Sequence, residues 1–290
     1  MTGILLFGKL ALGPTDGLQS MMETLDRPEI SLWVYRSLFE SGRERIRFPE
    51  RMQLLDEGAP IPEGIDYVFT VGGDGTFLDA LPLVQGSHRP IFGINTGRLG
   101  FLSNTSIRDF SAALDAVLQK QYTIEHRMLL HVDHPCCRKL PWALNDVCIQ
   151  RSGSNGMITL HVYVDEEPLN TYWCDGLIIA TPTGSTAYSL GCGGPILTPD
   201  ANAFVLTPIA SHTLTVRPIV LSGESRIHIE VESRSGSFVI NADSNSYTVQ
   251  QPATLLIRKE QFTVSLLRLN GQSFYKTLRD KLMWGLDRRN

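Results

Sequence analysis

The sequence predicts two differently built halves: an α/β N-terminal domain with a mostly parallel sheet, and a β-rich, sandwich-like C-terminal domain. In the first half, short apolar runs at residues 4–7, 67–69 and 91–94 alternate with helical patterns, which is typical of a parallel sheet with helices. After Arg127 the pattern changes, because apolar and polar residues alternate strictly over residues 158–164 and again over 227–231. A period of two indicates strands with one buried face.

The clearest helix of the first half follows Ser106. Ser106 and Asp109 resemble a capping pair. The apolar residues behind them fall on one helical face and are Ile107, Phe110, Leu114, Val117 and Leu118. The sequence therefore predicts an amphipathic helix with its apolar face on the sheet.

Composition excludes several classes of protein. A net charge of -4 and a pI near 6.0 argue against nucleic acid as a partner, because binding a phosphate backbone needs clustered Lys and Arg. The apolar start is broken by Lys9, which argues against a signal peptide, and residues 176–199 are too rich in Thr, Ser, Gly and Pro for a membrane span. Five cysteines without framework spacing indicate reduced thiols, so we expect a cytoplasmic protein without a membrane partner.

The most informative motif is a glycine turn after the apolar run at residues 67–71. Gly72, Gly73 and Gly75 let backbone N–H groups approach an anion closely, and Thr76 is the predicted N-cap of a helix beginning at Phe77. A bare strand-to-helix turn would have the same glycines.

Asp74 within that turn points to chemistry. A carboxylate beside phosphate-binding amides repels the anion unless it holds a metal ion or accepts a proton from an attacking hydroxyl. The sequence therefore predicts Asp74 as a catalytic residue.

Two further segments place polar groups next to apolar strands. Asn145 and Asp146 interrupt the strand-like run of residues 142–149, so one of them is expected to face inward; a hydrogen-bonded turn is the alternative. Asp175 precedes the buried-looking run 177–180, whose exit at residues 181–186 carries several hydroxyls. These hydroxyls suit recognition, although a plain Ser/Thr-rich loop is the alternative.

Four ordered blocks of this sequence resemble the signatures of the NAD kinases, over the chain from about Ile65 onward. They are the glycine turn at 69–76, the N-x-G-x-L-G-F-L pattern at 95–102, the run DGLIIATPTGSTAYS at 175–189 followed by GGPI at 193–196, and residues 206–218. The closing residues 278–284 also resemble bacterial members. The glycine turn alone is shared more distantly with diacylglycerol and sphingosine kinases and with phosphofructokinases.

The resemblance implies phosphorylation of the adenosine 2′-hydroxyl of NAD, with ATP as donor, polyphosphate as an open alternative, and a divalent cation. Mg²⁺ is the expected cation and Mn²⁺ a substitute; the metal ligands stay unassigned. Asp74 is the implied general base and orienter of the hydroxyl. The implied nucleotide-binding residues are Gly72, Gly73, Gly75, Thr76, Phe77, Asn95, Asn145, Asp146, Asp175, Thr183, Thr186, Ala187, Tyr188, Ser189 and Ala210.

Two positions depart from the family pattern. The family has Asn-Glu where this chain has Asn145 and Asp146, so the acid is one methylene shorter. At Asp243 the family more often has Asp-Gly, and we interpret Asp243 as part of a solvated turn, with a nucleotide contact as the less favoured alternative.

The resemblance also implies an organisation. We expect residues 1–125 to form the α/β domain, residues 126–266 the NAD-binding β-rich domain, and residues 267–290 a segment that packs back on the first. We expect a homo-oligomer, a tetramer or a dimer, with the site completed across subunits, since unpaired strand edges need partners.

Three alternatives stay open. The histidines and cysteines of residues 126–137 could suggest zinc, but no second cluster has the spacing of a zinc site, and a strand with an exposed loop is the better interpretation. A lipid kinase would share the glycine turn, and a non-catalytic NAD sensor would share Asp175 and Tyr188. Neither a P-loop nor a G-x-G-x-x-G motif occurs in the sequence.

Overall fold

The computed structural model describes residues 1–10, 16–153 and 156–284 of the chain. The chain divides into two compact units. Unit 1 comprises Met1–His126 and Val264–Asn290, and unit 2 comprises Arg127–Thr263. The final strand and helix thus belong to unit 1, while residues 285–290 of the predicted closing segment lie outside the described residues.

Among the described residues, unit 1 is built on an eight-stranded, mostly parallel sheet. Its strands are β1 (Thr2–Gly8), β2 (Ile30–Tyr35), β3 (Gln53–Leu55), β4 (Tyr67–Gly72), β5 (Ile91–Asn95), β6 (Thr105–Ser106), β7 (Tyr122–Arg127) and β20 (Val264–Leu269). The order is β3-β2-β1-β4-β5-β20-β7, with β6 paired to β5. The order reverses between β1 and β4, and ligands of open α/β sheets bind beyond the carboxyl ends of the strands at such a switch point.

The described part of unit 1 also contains helices, and three of them share a buried apolar cluster with the sheet. The helices are α1 (Asp16–Leu25), α2 (Arg36–Gly42), α3 (Asp74–Asp79), α4 (Leu81–Val84), α5 (Phe110–Leu118) and α7 (Phe274–Leu282). One buried cluster joins Met21 of α1 and Phe110 of α5 to Phe69 of β4 and Phe92 of β5. This packing fixes the carboxyl end of β4, where the glycine turn begins.

The helix predicted after Ser106 is confirmed, with a different start. A 3-10 turn at Ile107–Asp109 precedes α5, and the Ser106 hydroxyl accepts a hydrogen bond from the Arg108 N–H (3.3 Å). Asp109 makes no capping bond with its side chain. The sequence pattern thus located the buried face correctly and the cap only in part.

The prediction that Thr76 caps a helix beginning at Phe77 is wrong. Helix α3 begins at Asp74, and Gly73 is its N-cap residue in an extended conformation. Because the glycines let the chain change from strand to helix immediately after Gly72, Thr76 lies inside the first turn of the helix.

Within the described residues, unit 2 consists of two six-stranded antiparallel sheets and the short helix α6 (Tyr188–Gly191). The first sheet has the order β15-β14-β13-β10-β17-β18, and the second β12-β11-β16-β19-β8-β9. Their bounds are β8 (Leu130–Asp133), β9 (Trp142–Ala143), β10 (Asp146–Arg151), β11 (Ile158–Val164), β12 (Glu167–Cys174), β13 (Gly176–Ala180), β14 (Ala203–Ile209), β15 (Ile219–Ser222), β16 (Ile227–Ser233), β17 (Ser237–Ala242), β18 (Asn245–Gln250) and β19 (Ala253–Lys259).

The alternation seen in the sequence is confirmed in unit 2. In β11, Ile158, Leu160 and Val162 are buried, and they share one apolar core with Ile149 of β10 and Leu177 of β13. That core joins residues of both sheets, as expected of a sandwich. The described residues include no helix with the length and apolar character needed to cross a membrane.

The run of residues 142–149 is not the continuous strand that the sequence suggested. Strand β9 ends at Ala143 in one sheet, and β10 begins at Asp146 in the other. Leu144 and Asn145 form a bend through which the chain passes from one sheet to the other, so Asn145 belongs to neither sheet. We call residues 144–146, the bend and the first residue of β10, the crossing segment.

Candidate active site

In the glycine turn of unit 1, packing requires glycine at one position and leaves space for a side chain at two others. A Cβ atom at Gly72 would lie 2.1 Å from the Thr76 hydroxyl, so only glycine fits there. Cβ atoms at Gly73 and Gly75 would meet no protein atom within 4 Å. The fold therefore does not require glycine at these two positions for space, which fits a role in close approach to a ligand.

The carboxylate of Asp74 is held by three consecutive backbone amides. Its Oδ2 accepts from the Phe101 N–H (2.9 Å), and its Oδ1 accepts from the N–H groups of Leu102 (3.1 Å) and Ser103 (2.8 Å). The ammonium of Lys281 in α7 lies 3.8 Å from Oδ2 and 4.7 Å above the centre of the Phe101 ring. These contacts fix the carboxylate while its side chain stays 30% exposed.

Asn95 builds the loop that supplies these amides. Its buried side chain accepts from the Gly97 N–H (2.6 Å) and donates to the carbonyls of Arg98 and Ser103, the latter at 3.2 Å. Arg268 donates to the carbonyl of Phe101 at 3.0 Å. Asn95 thus shapes the loop with its amide group, and its predicted nucleotide contact stays a prediction.

Thr76 and Phe77 follow Asp74 in α3. The Phe77 ring is fully buried and its N–H donates to the Gly73 carbonyl (3.2 Å), so Phe77 serves packing and its ring is not available to a nucleotide. The Thr76 side chain is half-buried over Gly72.

In unit 2, the crossing segment packs tightly against the turn that follows β13. The Thr181 N–H donates to the Asn145 carbonyl (2.9 Å), and the Thr181 hydroxyl donates to the Leu144 carbonyl. A Cβ at Gly184 would lie 2.0 Å from the Asn145 carbonyl oxygen. The structure therefore brings Asn145 and Asp146 together with the turn at residues 181–187.

The predicted side chains of that turn have different environments. Thr183 is buried and accepts from Arg127 (3.2 Å), while the Ser189 hydroxyl shares a buried hydrogen bond of 2.8 Å with Thr207. Tyr188 is 46% exposed. Thr186 and Ala187 are half-buried, and the Thr186 hydroxyl donates to the Thr183 carbonyl (3.2 Å). Tyr188 is thus the most accessible member of the set.

Asp175 and Ala210 lie at the other end of the same sheet. Strand β10 pairs with β13 so that Asp146 faces Ala180 and Gln150 faces Gly176, one strand length away. Asp175 forms an ion pair with Arg151 (2.8 Å), and its N–H donates to the Ile209 carbonyl beside Ala210. At about 3.3 Å per residue, Asp175 lies roughly 20 Å along the strand from Thr181, the first residue of the turn at 181–187. Within one chain, Asp175 and Ala210 therefore do not lie near the turn at residues 181–187.

Asp243 is the residue whose role the sequence interpretation missed. Its carboxylate accepts from the backbone N–H groups of Leu144 (2.7 Å), Asn145 (2.8 Å) and Asp146 (3.3 Å). The signal in the sequence is an acid at the tip of a hairpin between two alternating strands, which can direct its side chain back across the sheet.

Sequence comparison gives the family. The model of the ATP-NAD kinase N-terminal domain matches residues 47–122, and that of the ATP-NAD kinase C-terminal domain matches residues 144–269. An NAD kinase of Flavobacterium psychrophilum is 44% identical over 79% of this chain and 80% of its own length. One from Christiangramia forsetii is 35% identical over 93% of both chains.

The chain belongs to the NAD kinase family. The resemblance seen in the four motifs is thus confirmed, and the lipid kinase alternative is not favoured.

Two solved structures share the fold. The structure of yeast NADH kinase complexed with NADH superimposes with a TM-score of 0.84 at 22% identity, over 99% of this chain and 89% of that chain. An NAD kinase from Archaeoglobus fulgidus in complex with ATP gives a TM-score of 0.74 at 26% identity, over 98% and 99%. The predicted fold class, a mostly parallel α/β part followed by antiparallel β-sheets, is confirmed.

Asp146, the acid next to Asn145, has an unusual environment. Burial, and secondly the Asp243 carboxylate, raise the pKa of Asp146 to about 7. Burial also raises the pKa of Asp243 to about 6, although its three amide donors oppose the shift. No cation forms an ion pair with either acid among the described residues, so ionising both is unfavourable.

This environment gives a pH-dependent stability. An acid whose folded pKa is raised binds more protons in the folded state, so stability decreases as pH rises from about 4 to about 7. Asp146→Asn keeps a neutral group and should remove the part of that slope due to Asp146, while the part due to Asp243 remains. We expect the stability of wild type to fall relative to the variant by about 2 kcal/mol or more between pH 5 and pH 8, measured by urea unfolding. Parallel pH curves for the two proteins would contradict the assignment.

Proposed function

We propose that this protein transfers the γ-phosphoryl group of ATP to the adenosine 2′-hydroxyl of NAD, giving NADP. The observation that carries the proposal is the Asp74 carboxylate, fixed by three amides beyond the carboxyl end of β4 in a chain of the NAD kinase family. Membership of the family and the ATP complex of the Archaeoglobus relative support ATP as donor. Polyphosphate stays an alternative donor.

Asp74 has one acceptor position to offer. A carboxylate oxygen has two lone pairs, and Oδ1 already accepts two N–H groups while Oδ2 accepts one. We assign the free position on Oδ2 to the 2′-hydroxyl. The hydroxyl oxygen bonds to the γ-phosphorus as the bond to the β–γ bridging oxygen breaks, and the hydroxyl proton passes late to Oδ2.

The divalent cation fits best as part of the donor. No group of three or more His, Cys, Asp or Glu residues converges on a metal position in the described part of the chain. Mg²⁺ commonly keeps several waters and binds mainly through substrate phosphates. We therefore propose that Mg²⁺, or Mn²⁺ in its place, enters bound to ATP, and that the glycine turn and Lys281 receive the phosphates.

The dinucleotide is assigned to unit 2. The backbone of Asn145 contacts the 181–187 turn, Asp146 beside it is a buried acid, and Tyr188 offers an exposed ring for stacking. Asp146 can accept hydroxyl hydrogen bonds of a ribose. Thr183 and Ser189 have buried protein partners, so we assign them to shaping the turn.

The test is turnover by the pure protein with Mg²⁺. We expect NADP from NAD and ATP, with NADH, a diacylglycerol and polyphosphate assayed in parallel. Asp79→Asn is the matched control, because Asp79 is an exposed acid on the same helix as Asp74. A folded protein that binds NAD without forming NADP would favour the sensor interpretation, and a phosphorylated lipid the lipid kinase.

We further propose a homo-oligomer, a dimer or tetramer, in which a second copy completes the site. The support is the separation within one chain: Asp175 and Ala210 lie one strand length from Asn145 and the 181–187 turn. A second copy could supply Asp175 and Ala210 to the site of the first.

Subunit complementation tests this arrangement. We expect Asp175→Ala and Asp74→Asn to be nearly inactive alone, and a co-refolded mixture to recover about a quarter of wild-type activity. The reason is that half of the random dimers are mixed, and each mixed dimer has one site with neither substitution. No recovery, or a fully active 32.2 kDa monomer in light scattering, would contradict the proposal.

A cytoplasmic location is also proposed. All five cysteines are free thiols, and Cys137, Cys148 and Cys174 are buried. Reduced thiols are typical of that compartment.

A further inference from the structure

The β17–β18 hairpin carries an acid in an unusual backbone conformation. Ala242 pairs with Asn245, so Asp243 and Ser244 form a two-residue turn, and Asp243 has a positive φ of 48°. Two-residue hairpin turns with positive φ favour Gly and Asn. Asp243 is therefore not the residue that the turn itself favours most.

The turn directs the Asp243 carboxylate onto the crossing segment, as the three distances above show. The contact is reciprocal, because the Asp243 N–H donates to the Asp146 carbonyl at 3.1 Å. On the carbonyl side, Thr181 bonds to Leu144 and Asn145. Asp243 thus binds the N–H groups of the bend, and Thr181 binds the carbonyl groups of the bend.

Without the Asp243 carboxylate, the N–H groups of the bend would lose their hydrogen-bond acceptors. Leu144 is fully buried and Asn145 belongs to neither sheet, so no ladder offers acceptors to their N–H groups. Unpaired buried amides are unfavourable and would turn the backbone toward other acceptors. A rotation of this bend would redirect the side chains of Asn145 and Asp146.

We propose that Asp243 is a positioning residue for the dinucleotide, which holds the backbone of residues 144–146 so that Asn145 and Asp146 meet NAD in a fixed orientation. This inference rests on the proposed function of the site. Asp243 itself does not need to touch the substrate.

The test substitutes Asp243 with residues that suit the turn better but have fewer hydrogen-bond acceptors. Asp offers two acceptor oxygens, Asn one and Gly none, whereas Gly and Asn suit a positive φ better than Asp. We expect the Kd for NAD, measured by calorimetry, to rise about tenfold in Asp243→Asn and about a hundredfold in Asp243→Gly. Ser244→Ala, an exposed position in the same turn, is the control and should bind as wild type.

A second readout separates positioning from stability. If Asp243 only stabilised the hairpin, Asn or Gly would change the unfolding midpoint and leave the Kd for NAD unchanged, and that result would overturn the proposal. We expect the KM for ATP to stay within about twofold of wild type in Asp243→Asn, since a uniform loss would indicate general damage. If Asp243→Gly does not fold, Asp243→Asn decides. Wild type that fails to bind NAD would refute the proposed function instead.

Discussion

Asp74→Asn is expected to lower turnover by about 10² to 10⁴, the usual contribution of a general base. An amide cannot accept the 2′-hydroxyl proton, and it removes the charge that faces Lys281. The affinity for NAD should change far less, because we assign the dinucleotide to Asn145, Asp146 and Tyr188. The measurement is kcat with NAD and ATP, together with the Kd for NAD.

The structure shows that this substitution also perturbs the loop. Asn has only one acceptor oxygen, so its NH₂ group would face either the Phe101 N–H or those of Leu102 and Ser103. We expect a loss of about 1–3 kcal/mol in stability, as for an unsatisfied amide. Asp79→Asn should show neither effect. Near-normal turnover in Asp74→Asn, or loss of NAD binding as complete as in Asp175→Ala, would show that the catalytic role is misplaced.

Local patterns predicted the fold well. The alternation over residues 158–164 and the continuous apolar run 177–180 correspond to β11 and β13, because period and burial depend on neighbours in sequence. The turn after β4 was also predictable from the sequence, since an apolar run that ends in glycines indicates a turn. The resemblance to NAD kinases was equally a property of the sequence alone.

Contacts between residues far apart in the sequence could not be predicted from local patterns. Asp74 binds amides 27 to 29 residues away, and Asp243 binds amides 97 to 99 residues away. The local signal for Asp243, an acid at a hairpin tip, does not by itself distinguish such an acid from one in a solvated turn, which is the interpretation given from the sequence. The same limit explains Asn145, where an apolar run on both sides concealed a bend between two sheets.

The two acids use the same device. Asp74 and Asp243 each accept hydrogen bonds from three consecutive backbone amides, at residues 101–103 and 144–146. Residues 101–103 and 144–145 lie outside the sheets, and Asp146 is the first residue of β10. Each carboxylate thereby fixes the conformation of the segment that it binds. We infer that the geometry of each loop, and not only the acid, is part of the proposed function.

Gly100→Ala tests that inference for Asp74 without removing the acid. A Cβ at Gly100 would lie 1.9 Å from Oδ1 of Asp74, so either the carboxylate or the loop must move by more than 1 Å. Because a displacement of about 1 Å can reduce catalysis by roughly 10²-fold, we expect kcat to fall by at least that factor. The carboxylate and its ionisation remain, and the affinity for NAD should stay near that of wild type.

The matched control lies in the same loop. A Cβ at Gly97 would meet no atom within 4 Å, so Gly97→Ala should keep kcat within about twofold of wild type. We expect Gly100→Ala to lose about 1–3 kcal/mol of stability from overpacking, which urea unfolding will measure separately from turnover. If Gly100→Ala is folded and turns over as fast as Gly97→Ala, the position of the Asp74 carboxylate does not limit the reaction. A large loss in the first variant alone would instead show that the reaction requires the acid in the position that the three amides impose.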